Sequence, residues 1–524
     1  MIQRIKNIFI KKQKIVYNVN RKRNFKLIKS FFDKFKEKDK YINDSTWNDL
    51  NMDDVYCKVD RTLTTPGEQK LYEIMRIPLI NKEELKDREN IISYFDDNKE
   101  FRDRVHEELY KISRVNDNVI YVLKDRLEDN LKLKILYNFF AVFSVISIIS
   151  IFIVPGIRHL TIPIFAFISI TNMLLHYGAN KNIGEKIEVI EYTGNMINVS
   201  RNLIKITENN LHNYNVLFEK AYDKLKSIGK KSGIISRVEG LDVFADYINT
   251  LFLVRERNYF SIVDNVKKYS EKIIELYNLI GEIDAYIAIS VYRETLDIYT
   301  IPEFYNKKKV LEVEEIIHPL LENPVSNSIS FENGGMVLTG SNMSGKSTFL
   351  RTIGVNAILA QTINTVLAKR YKTSFYNVVS SISLKDNIGE GKSFYFAEAE
   401  AILRMINSSS KDITTLALID EIFKGTNPVE RINAAAEILN FLQENNAFTI
   451  VATHDLNLIP LINNYVRYYF MENMTDEGMI FDYKLRKGIS PTRNAVKILR
   501  YINYPEELLE RIDKRLISVE NKTI

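Results

Sequence analysis

The pattern of hydrophobic and polar positions changes three times along the chain. Residues 46–134 are mostly polar, with apolar residues at helical spacing. Residues 178–305 interleave charged and apolar residues at steps of three and four, as in VDNVKKYSEKIIELYNLI (263–280). Both stretches predict long packed helices, the two parts of one helical core. After residue 305, short β-rich runs alternate with helical segments. That alternation predicts an α/β domain with a largely parallel sheet over residues 306–515.

Between the two helical stretches lie two runs without a charged residue, at 135–157 and 160–180. The first, ILYNFFAVFSVISIISIFIVPGI, reaches the roughly 20 residues that a helix needs to cross a bilayer, and the second is near the lower limit. Pro155 and Gly156 favour a turn between them. The runs therefore predict a transmembrane hairpin over residues 135–177. The alternative is a helical hairpin that is buried in a soluble core.

Charges and small residues add detail to the predicted hairpin. Lysines flank it on both sides, at Lys132, Lys134, Lys181 and Lys186. Positive charge stays on the cytoplasmic side, so we expect two membrane-spanning helices with the N- and C-terminal domains both in the cytoplasm. Small residues recur at helical spacing in the first run, at Ala141, Ser144 and Ser147. They predict the face on which the second helix approaches closely.

Charge is concentrated at the start of the chain. Residues 1–45 hold 14 Lys/Arg and four Asp/Glu, whereas the whole chain has a net charge of only +5. This stretch predicts a basic arm that contacts anionic lipid or nucleic acid, and the alternative is a solvated, helix-prone arm. Cys57 is the single cysteine, which excludes an intramolecular disulfide and favours a reducing compartment.

A glycine-rich segment, GSNMSGKST at 340–348, follows an apolar strand pattern at 336–339 and precedes a helical pattern. Gly340 and Gly345 permit the tight backbone path that turns N–H groups toward phosphate. We expect Lys346 to reach the β- and γ-phosphates of ATP and Ser347 to hold Mg²⁺, at the positive end of a helix. The predicted nucleotide contacts from this segment are Gly340, Ser341, Asn342, Met343, Ser344, Gly345, Lys346, Ser347 and Thr348.

Two further apolar strands end in polar residues. TTLALIDE (414–421) ends in Asp420, which we expect to hold magnesium, and Glu421, which we expect to orient or deprotonate the attacking water. FTIVATH (448–454) ends in His454. The carboxyl ends of parallel strands meet at the ligand crevice, so His454 is predicted to sense the γ-phosphate or hold the water.

These residues resemble the MutS family of DNA mismatch repair ATPases. The likeness includes TGSNMSGKSTFLRTIGVNAILAQ with its Gln361, DNIGEGKSFYFAEAEAI (386–402), LIDEIFKGTNPVE (418–430) and YKLRKGIS with YINYPEELLERI (483–512). DRTLTTPGEQKLYEIMRIPLINKEELKDREN (60–90) is similar to the start of that family's helical core. Nothing before residue 50 resembles the mismatch-reading domain.

The resemblance implies a P-loop ATPase domain that pairs with a second copy. It also implies a nucleotide contact at Gln361, a contact of Ser393 with the partner's phosphates, support of the site by Glu398, and DNA as a ligand. The first hypothesis is thus a membrane-tethered MutS-like ATPase acting on DNA, with Lys346, Glu421 and His454 as catalytic residues. The alternative is an ATP-driven switch in the membrane that acts on a protein or on lipid without DNA. A nucleotide-binding scaffold without hydrolysis is a third possibility, against which Asp420 and Glu421 both count.

Overall fold

The computed structural model describes residues 20–37, 40–127, 129–208, 210–236, 242–305, 309–341, 343–382, 394–423, 427–475, 478–490, 499 and 504–520. The chain divides into two compact units. The helical unit comprises the described parts of Met1–Lys36, Asp60–Glu73 and Ile91–Tyr292. The α/β unit comprises those of Glu37–Val59, Ile74–Asn90 and Arg293–Ile524.

The helices before the sheets account for most of the chain up to residue 293. In chain order they are α1 (Phe25–Phe35), α2 (Asp44–Asp49), α3 (Met52–Val59), α4 (Thr65–Arg76), α5 (Lys82–Asp97), α6 (Lys99–Tyr110), α7 (Val119–Tyr121, continued by a π-helical turn at Val122–Arg126), α8 (Leu131–Ile153), α9 (Arg158–Thr207), α10 (His212–Ser236), α11 (Asp242–Phe252), α12 (Val254–Lys268) and α13 (Ser270–Arg293). Asparagine side chains cap several of them: Asn24, Asn43 and Asn130 each accept a hydrogen bond from a first-turn N–H group.

The remaining elements build the α/β unit. Its strands are β1 (Glu303–Tyr305), β2 (Val310–Ile316), β3 (Asn327–Glu332), β4 (Gly335–Thr339), β5 (Arg370–Ser374), β6 (Asn377–Ser381), β7 (Thr415–Asp420), β8 (Ala447–Ala452), β9 (Tyr465–Tyr469), β10 (Glu472–Thr475), β11 (Gly478–Phe481) and β12 (Arg486–Lys487). Its later helices are α14 (Lys346–Thr362), α15 (Phe394–Ser409), α16 (Pro428–Glu444) and α17 (Glu506–Glu520).

The largest sheet of the described α/β unit has six strands in the order β12-β9-β4-β8-β7-β6. Strands β9, β4, β8, β7 and β6 are parallel, and β12 joins the edge antiparallel to β9. Strands β4 and β8 are buried along their whole length, as expected for the centre of a sheet covered on both faces. The predicted α/β domain with a parallel sheet, preceded by helices, is confirmed. The carboxyl ends of β4, β7 and β8 lie side by side.

Residues 37–59 and 74–90 pack with the α/β unit, although most of them were expected in the helical core. The buried Asp49 carboxylate connects residues 37–59 to the α/β unit. Its Oδ2 accepts hydrogen bonds from the Ser380 hydroxyl, at 2.7 Å, and from the Ile382 N–H, at 3.0 Å. Residues 74–90 are held by Glu89, whose carboxylate pairs with the Arg293 guanidinium at 2.7 Å. The domain division drawn from the sequence is corrected accordingly, because these helices satisfy polar groups of the sheet side.

Residues 21–35 differ from the predicted basic arm. The Arg21 guanidinium lies 2.5 Å from the Asp60 carboxylate and 2.7 Å from the Glu68 carboxylate, and Arg23 lies 2.8 Å from Asp60. Asp60 is fully buried, so these arginines neutralise a charge that would otherwise be costly inside the helical unit. Helix α1 follows with its apolar face buried. This part of the basic stretch is therefore integral to the helical unit, and residues 1–19 lie outside the described residues.

Helices α8 and α9 form the predicted hairpin, and both are long and apolar enough to cross a membrane by length and composition. Only 22% of the apolar stretch in the first and 17% in the second is buried, so most of each stretch is exposed in the chain by itself. In these two helices the usual distribution of buried apolar and exposed polar side chains is reversed. Three small residues of α8 are buried, namely Ala141, Ser144 and Ser147, as predicted for the face that packs against the second helix. We call this face the seam of the hairpin. Most of the large apolar side chains are exposed.

A buried carboxyl group connects helix α13 to residues 63–67 within the helical unit. Asp284 on α13 accepts hydrogen bonds from the N–H groups of Leu63 and Thr64 and from the Thr64 hydroxyl, at 3.0, 2.8 and 2.6 Å. Gly67 also approaches it so closely that a Cβ there would lie 2.0 Å from Oδ2. Burial raises the pKa of Asp284 to about 6, although the hydrogen bonds from Thr64 and Leu63 oppose that shift.

This pKa predicts how stability depends on pH. The folded state holds the proton more tightly than the unfolded state, whose carboxyl has the ordinary pKa of 3.8. The stabilising contribution is therefore complete below about pH 4 and is lost as the pH rises through 6, a change of about 3 kcal/mol at most. We expect the thermal unfolding midpoint of the wild type to fall relative to that of Asp284→Asn over this range. Parallel profiles for the two proteins would contradict the assignment.

Candidate functional site

A tight loop connects β4 to α14. Gly340 and Gly345 have φ angles of +142° and +110°, in the region that favours glycine. A Cβ at Gly340 would lie 2.6 Å from the Phe470 carbonyl oxygen, so no other residue fits there without moving the backbone. Helix α14 begins at Lys346, directly after Gly345. The loop therefore brings the chain to the N-terminal end of a 17-residue helix, where unpaired N–H groups and the helix dipole favour an anion.

The Lys346 side chain lies within this loop. Its ammonium group donates to the carbonyl oxygens of Gly340 and Ser341, both at 2.7 Å, and the residue is almost fully buried. The Ser341 hydroxyl donates to the Glu472 carboxylate at 2.8 Å. Ser344 Oγ is buried and has no hydrogen-bond partner among the described residues. The loop thus carries a fixed positive charge and an unused polar atom, both of which suit a phosphate group.

Oxygen atoms meet beside the loop. The Ser347 hydroxyl at the start of α14 donates to the Asp420 carboxylate at the end of β7, at 2.5 Å. A hydroxyl, one carboxylate and phosphate oxygens are the ligands that magnesium prefers when it is bound with a nucleotide. In the described part of the chain no cluster of three or more His, Cys, Asp or Glu side chains forms a metal cage. The residues present fit a magnesium ion whose other ligands come from substrate and water.

Glu421 and His454 are paired at the neighbouring strand ends. Glu421 Oε1 lies 2.9 Å from His454 Nδ1. Glu421 has a φ of +66°, an uncommon backbone conformation for a residue with a side chain, and its N–H donates to the Ala452 carbonyl at 2.9 Å. Strain of this kind is found where the surrounding structure fixes a side chain in a functional position. The arrangement holds a carboxylate, oriented by an imidazole, at the edge of the site.

The loop, Ser347, Asp420 and Glu421 line one cavity of about 460 Å³, a size typical of small-molecule sites. His454, which contacts Glu421, is not among the residues that line it. The predicted residues that line it are Met343, Gly345, Lys346, Ser347, Thr348, Asp420 and Glu421. Others were not predicted, among them Ile316, His318, Leu321, Asn323, Val325, Asn327, Phe349, Thr352, Phe470 and Tyr483. Apolar side chains thus line the cavity together with the charged Lys346, Asp420 and Glu421.

Three of the unpredicted residues that line the cavity are Asn327, His318 and Tyr483, each with a polar or aromatic side chain. The Asn327 side chain donates to the Tyr483 carbonyl, at 3.0 Å, and accepts from the Leu485 N–H, at 2.7 Å, which fixes the Tyr483 segment at the cavity wall. Burial, with a smaller effect of the Arg351 guanidinium, lowers the pKa of His318 to about 4. Its ring is therefore neutral at pH 7, and Nδ1 accepts from the Leu320 N–H.

Not every predicted site residue reaches the cavity. Gln361 is buried near the far end of α14, about 22 Å along the helix from Lys346. Its side-chain amide donates to the Tyr376 carbonyl at 2.9 Å and accepts from the Tyr376 N–H at 2.7 Å. The predicted nucleotide contact at Gln361 is therefore wrong, because both polar atoms serve the backbone of a neighbouring strand. Glu398 is buried on α15. The predictions for Asn342 and Ser393 lie outside the described residues.

The pair of Glu421 and His454 yields a testable prediction. A hydrogen bond to a charged group contributes about 1.5–3 kcal/mol, so we expect His454→Ala to lower kcat for ATP by about 10- to 100-fold. Because His454 contacts the carboxylate in the structure, KM for ATP should stay near the wild-type value. His212→Ala, at an exposed histidine of the helical unit, is the matched control. A raised KM with unchanged kcat would instead place His454 on the phosphates.

Comparison with known proteins gives consistent matches. Residues 336–520 match the family model of MutS domain V. The chain is 29% identical over 277 residues to the DNA mismatch repair protein MutS of Petrotoga mobilis, which covers 50% of this chain and 33% of that protein. It is 24% identical over 548 residues to the DNA mismatch repair protein MutS of Fusobacterium nucleatum, which covers 92% of this chain and 60% of that protein. The chain thus spans between about a third and three fifths of the length of these relatives.

Proposed function

This chain belongs to the MutS family, and from that premise we propose that its α/β unit binds and hydrolyses ATP with magnesium. The observation that carries the proposal is that two strand ends meet at one cavity. Lys346 and its loop follow β4, whereas Asp420 and Glu421 stand at the end of β7, and all line that cavity. His454 follows β8, the strand between them, and its ring contacts the Glu421 carboxylate at 2.9 Å.

Each residue has a role in this proposal. The Lys346 ammonium and the N–H groups of the loop bind the phosphates, which lowers the cost of concentrating negative charge. Ser347 and Asp420 hold magnesium, whose charge, when it is bound, neutralises the phosphate oxygens. Glu421 accepts a proton from the attacking water, and His454 keeps the carboxylate directed at that water. Tyr483, which lines the same cavity, is the proposed aromatic contact of the base.

The family resemblance also supports a dimer as the active form. In this proposal two copies close on the nucleotide, and Ser393 of one copy contacts the phosphates bound by the other. Glu398, buried on α15, supports the segment that carries Ser393. The proposal for Ser393 rests on the resemblance of residues 386–402 alone.

The second part of the proposal places residues 135–177 in a membrane, with the α/β unit in the cytoplasm. A 23-residue helix such as α8 is about 35 Å long, more than the roughly 30 Å of a hydrocarbon core. The outward apolar side chains of the hairpin and its polar seam support this placement, because lipid reverses the usual preference for polar residues outside. Co-flotation of the full-length chain with vesicles tests it; a chain that stays in the dense aqueous fraction would contradict it.

DNA is the proposed ligand of the whole protein. The support is that the matched relatives are named DNA mismatch repair proteins and that residues 1–45 carry an excess of positive charge. Contacts of lysine and arginine with the phosphate backbone are independent of sequence and weaken with salt. We expect ATP turnover of the detergent-solubilised chain to rise with matched, mismatched or branched duplex. Turnover and nucleotide affinity that no DNA changes would remove DNA from the proposal.

The alternative is an ATP-driven membrane switch that acts without DNA. One observation favours it: Arg21 and Arg23, two cations of the basic stretch, are committed to Asp60 and Glu68 inside the helical unit. A full-length variant with Lys11, Lys12 and Lys14 changed to Gln separates the two functions. Loss of DNA retention with unchanged binding to anionic vesicles supports DNA as the ligand, and the reverse supports the switch.

A further inference from the structure

Residues 247–249 of helix α11 expose large apolar side chains and bury a polar one, the reverse of what is usual in a soluble protein. Tyr247 and Ile248 are 65% and 45% exposed, whereas the neighbouring Asn249 is only 6% exposed. The Asn249 side-chain oxygen is buried without a hydrogen-bond partner among the described residues. Buried polar groups and exposed large apolar groups are the informative exceptions to the usual distribution. Both occur here within three consecutive residues.

The same inversion characterises the adjacent hairpin. Ser144 and Asn172 are fully buried between its helices, while Phe143, beside Ser144, is 42% exposed. Lipid tails are as apolar as leucine, so in a bilayer the large apolar residues face outward and small or polar residues pack helix against helix. Residues 247–249 of helix α11 therefore show the same polarity as the hairpin.

Two hydrogen bonds from the buried Asn172 side chain connect the end of α11 to the hairpin. The Asn172 side-chain amide donates to the Leu251 carbonyl oxygen at 2.6 Å and to the Ser144 hydroxyl at 2.8 Å. The Leu251 carbonyl belongs to the last turn of α11, where carbonyl groups have no partner within the helix. The chain turns at Leu253, which has a φ of +51°, and α12 begins at Val254. The corner between α11 and α12 thus lies against the seam of the hairpin.

Charged and polar contacts mark a level near the cytoplasmic base of the hairpin. They connect α12 to both hairpin helices. The contacts are Arg257 Nε to Asn138 Oδ1 at 2.9 Å and His176 Nδ1 to Glu256 Oε1 at 2.7 Å. Groups of this kind are stable at the boundary with water and costly in the hydrocarbon core.

The corner lies beyond this level, toward the tip of the hairpin. Ser144 is six residues from Asn138 along α8, about 9 Å at the helical rise. Asn172 is four residues from His176 along α9, about 6 Å. The Leu251 carbonyl, bonded to Asn172, is therefore about 6–9 Å deeper than the charged level. That distance equals the depth to which interfacial helices bury an apolar face, about 5–10 Å.

We propose that the corner between α11 and α12 is a third membrane element, which enters the cytoplasmic leaflet beside the hairpin and is covered by lipid at Tyr247 and Ile248. The proposal rests on the proposed membrane placement of the hairpin. The corner would be a contact of the helical unit with lipid in addition to that of the hairpin. The occupant is the boundary of headgroups and acyl chains, because a protein partner would leave the shared polarity and depth of α11 and the hairpin unexplained.

Depth-dependent quenching of single labelled positions tests this proposal. Cys57, the only cysteine, is changed to Ser, and a cysteine carrying an environment-sensitive fluorophore is placed at Tyr247 or Ile248 of the full-length chain. The protein is reconstituted in vesicles of phosphatidylcholine and phosphatidylglycerol. These contain lipids with a nitroxide on the headgroup, at the top of the acyl chain or near its end. Phe143→Cys is the control within the hairpin, and Leu217→Cys, exposed on α10, is the aqueous control.

We expect positions 247 and 248 to be quenched best by the headgroup and upper-chain nitroxides, at least severalfold more than position 217. Position 143 should be quenched by the chain nitroxides. Quenching at position 143 by the chain nitroxides, with positions 247 and 248 quenched only by aqueous iodide as position 217 is, would contradict the third membrane element. The membrane placement of the hairpin would still hold in that case. If position 143 also responds only to iodide, the membrane placement fails and this inference fails with it.

Discussion

Glu421→Gln is expected to abolish nearly all ATP turnover and leave ATP bound. The glutamine keeps the size of the side chain and an oxygen that can accept from His454 Nδ1, which lies 2.9 Å from the carboxylate. It cannot take a proton from water at neutral pH. A positioned general base contributes about 10²- to 10⁴-fold, so we expect kcat to fall by about that factor while ATP affinity stays within a few-fold. Single-turnover hydrolysis of radiolabelled ATP measures both quantities.

The control for this substitution is Glu437→Gln, which makes the same chemical change at an exposed position of α16. It should leave kcat unchanged. Unchanged turnover in Glu421→Gln would mean that another group accepts the proton. Lost ATP affinity with a normal rate at saturation would mean that Glu421 binds nucleotide and does not act on water.

Lys346→Ala is expected to have the largest effect on nucleotide affinity. The ammonium group is almost fully buried and donates to two carbonyl groups of the loop, so it is already fixed where phosphates would lie. Removing one partner of a buried charge pair costs about 2–5 kcal/mol. We therefore expect ATP to bind at least about 30-fold more weakly, as measured by equilibrium binding of a fluorescent ATP analogue and by competition with ATP.

Two measurements keep that test interpretable. Lys411→Ala removes an exposed lysine from the same unit and should leave affinity unchanged. The thermal unfolding midpoint of Lys346→Ala shows whether the loop still folds without the two hydrogen bonds of the ammonium group. A folded Lys346→Ala protein with wild-type affinity would show that the loop is not the phosphate site.

Much of this arrangement is predictable because it depends on local patterns. The apolar runs before Gly340, Asp420 and His454 are strands whose carboxyl ends meet in one sheet, as period and length indicate. The seam at Ala141, Ser144 and Ser147 follows from the spacing of small residues along a helix. In each case the interacting residues are related by the repeat of one element or by the geometry of a parallel sheet.

Other features depend on contacts between distant parts of the chain. Tyr483 reaches the cavity because Asn327, 156 residues earlier, bonds to its backbone. The resemblance of YKLRKGIS to the MutS family marks the segment, and it does not indicate that the tyrosine lines the cavity. The Gln361 prediction failed because a straight 17-residue helix carries that residue far from the loop with which it shares a motif. An amphipathic pattern in residues 37–59 indicates a buried face, and it does not indicate which unit covers that face.

An ATP titration of the full-length, detergent-solubilised wild-type chain, in magnesium and in EDTA, tests the proposed nucleotide site itself. We expect saturable binding at one site per chain, and tighter binding in magnesium because Ser347 and Asp420 would hold the ion beside the phosphates. The absence of saturable binding at millimolar ATP, or equal affinity in magnesium and EDTA, would contradict it.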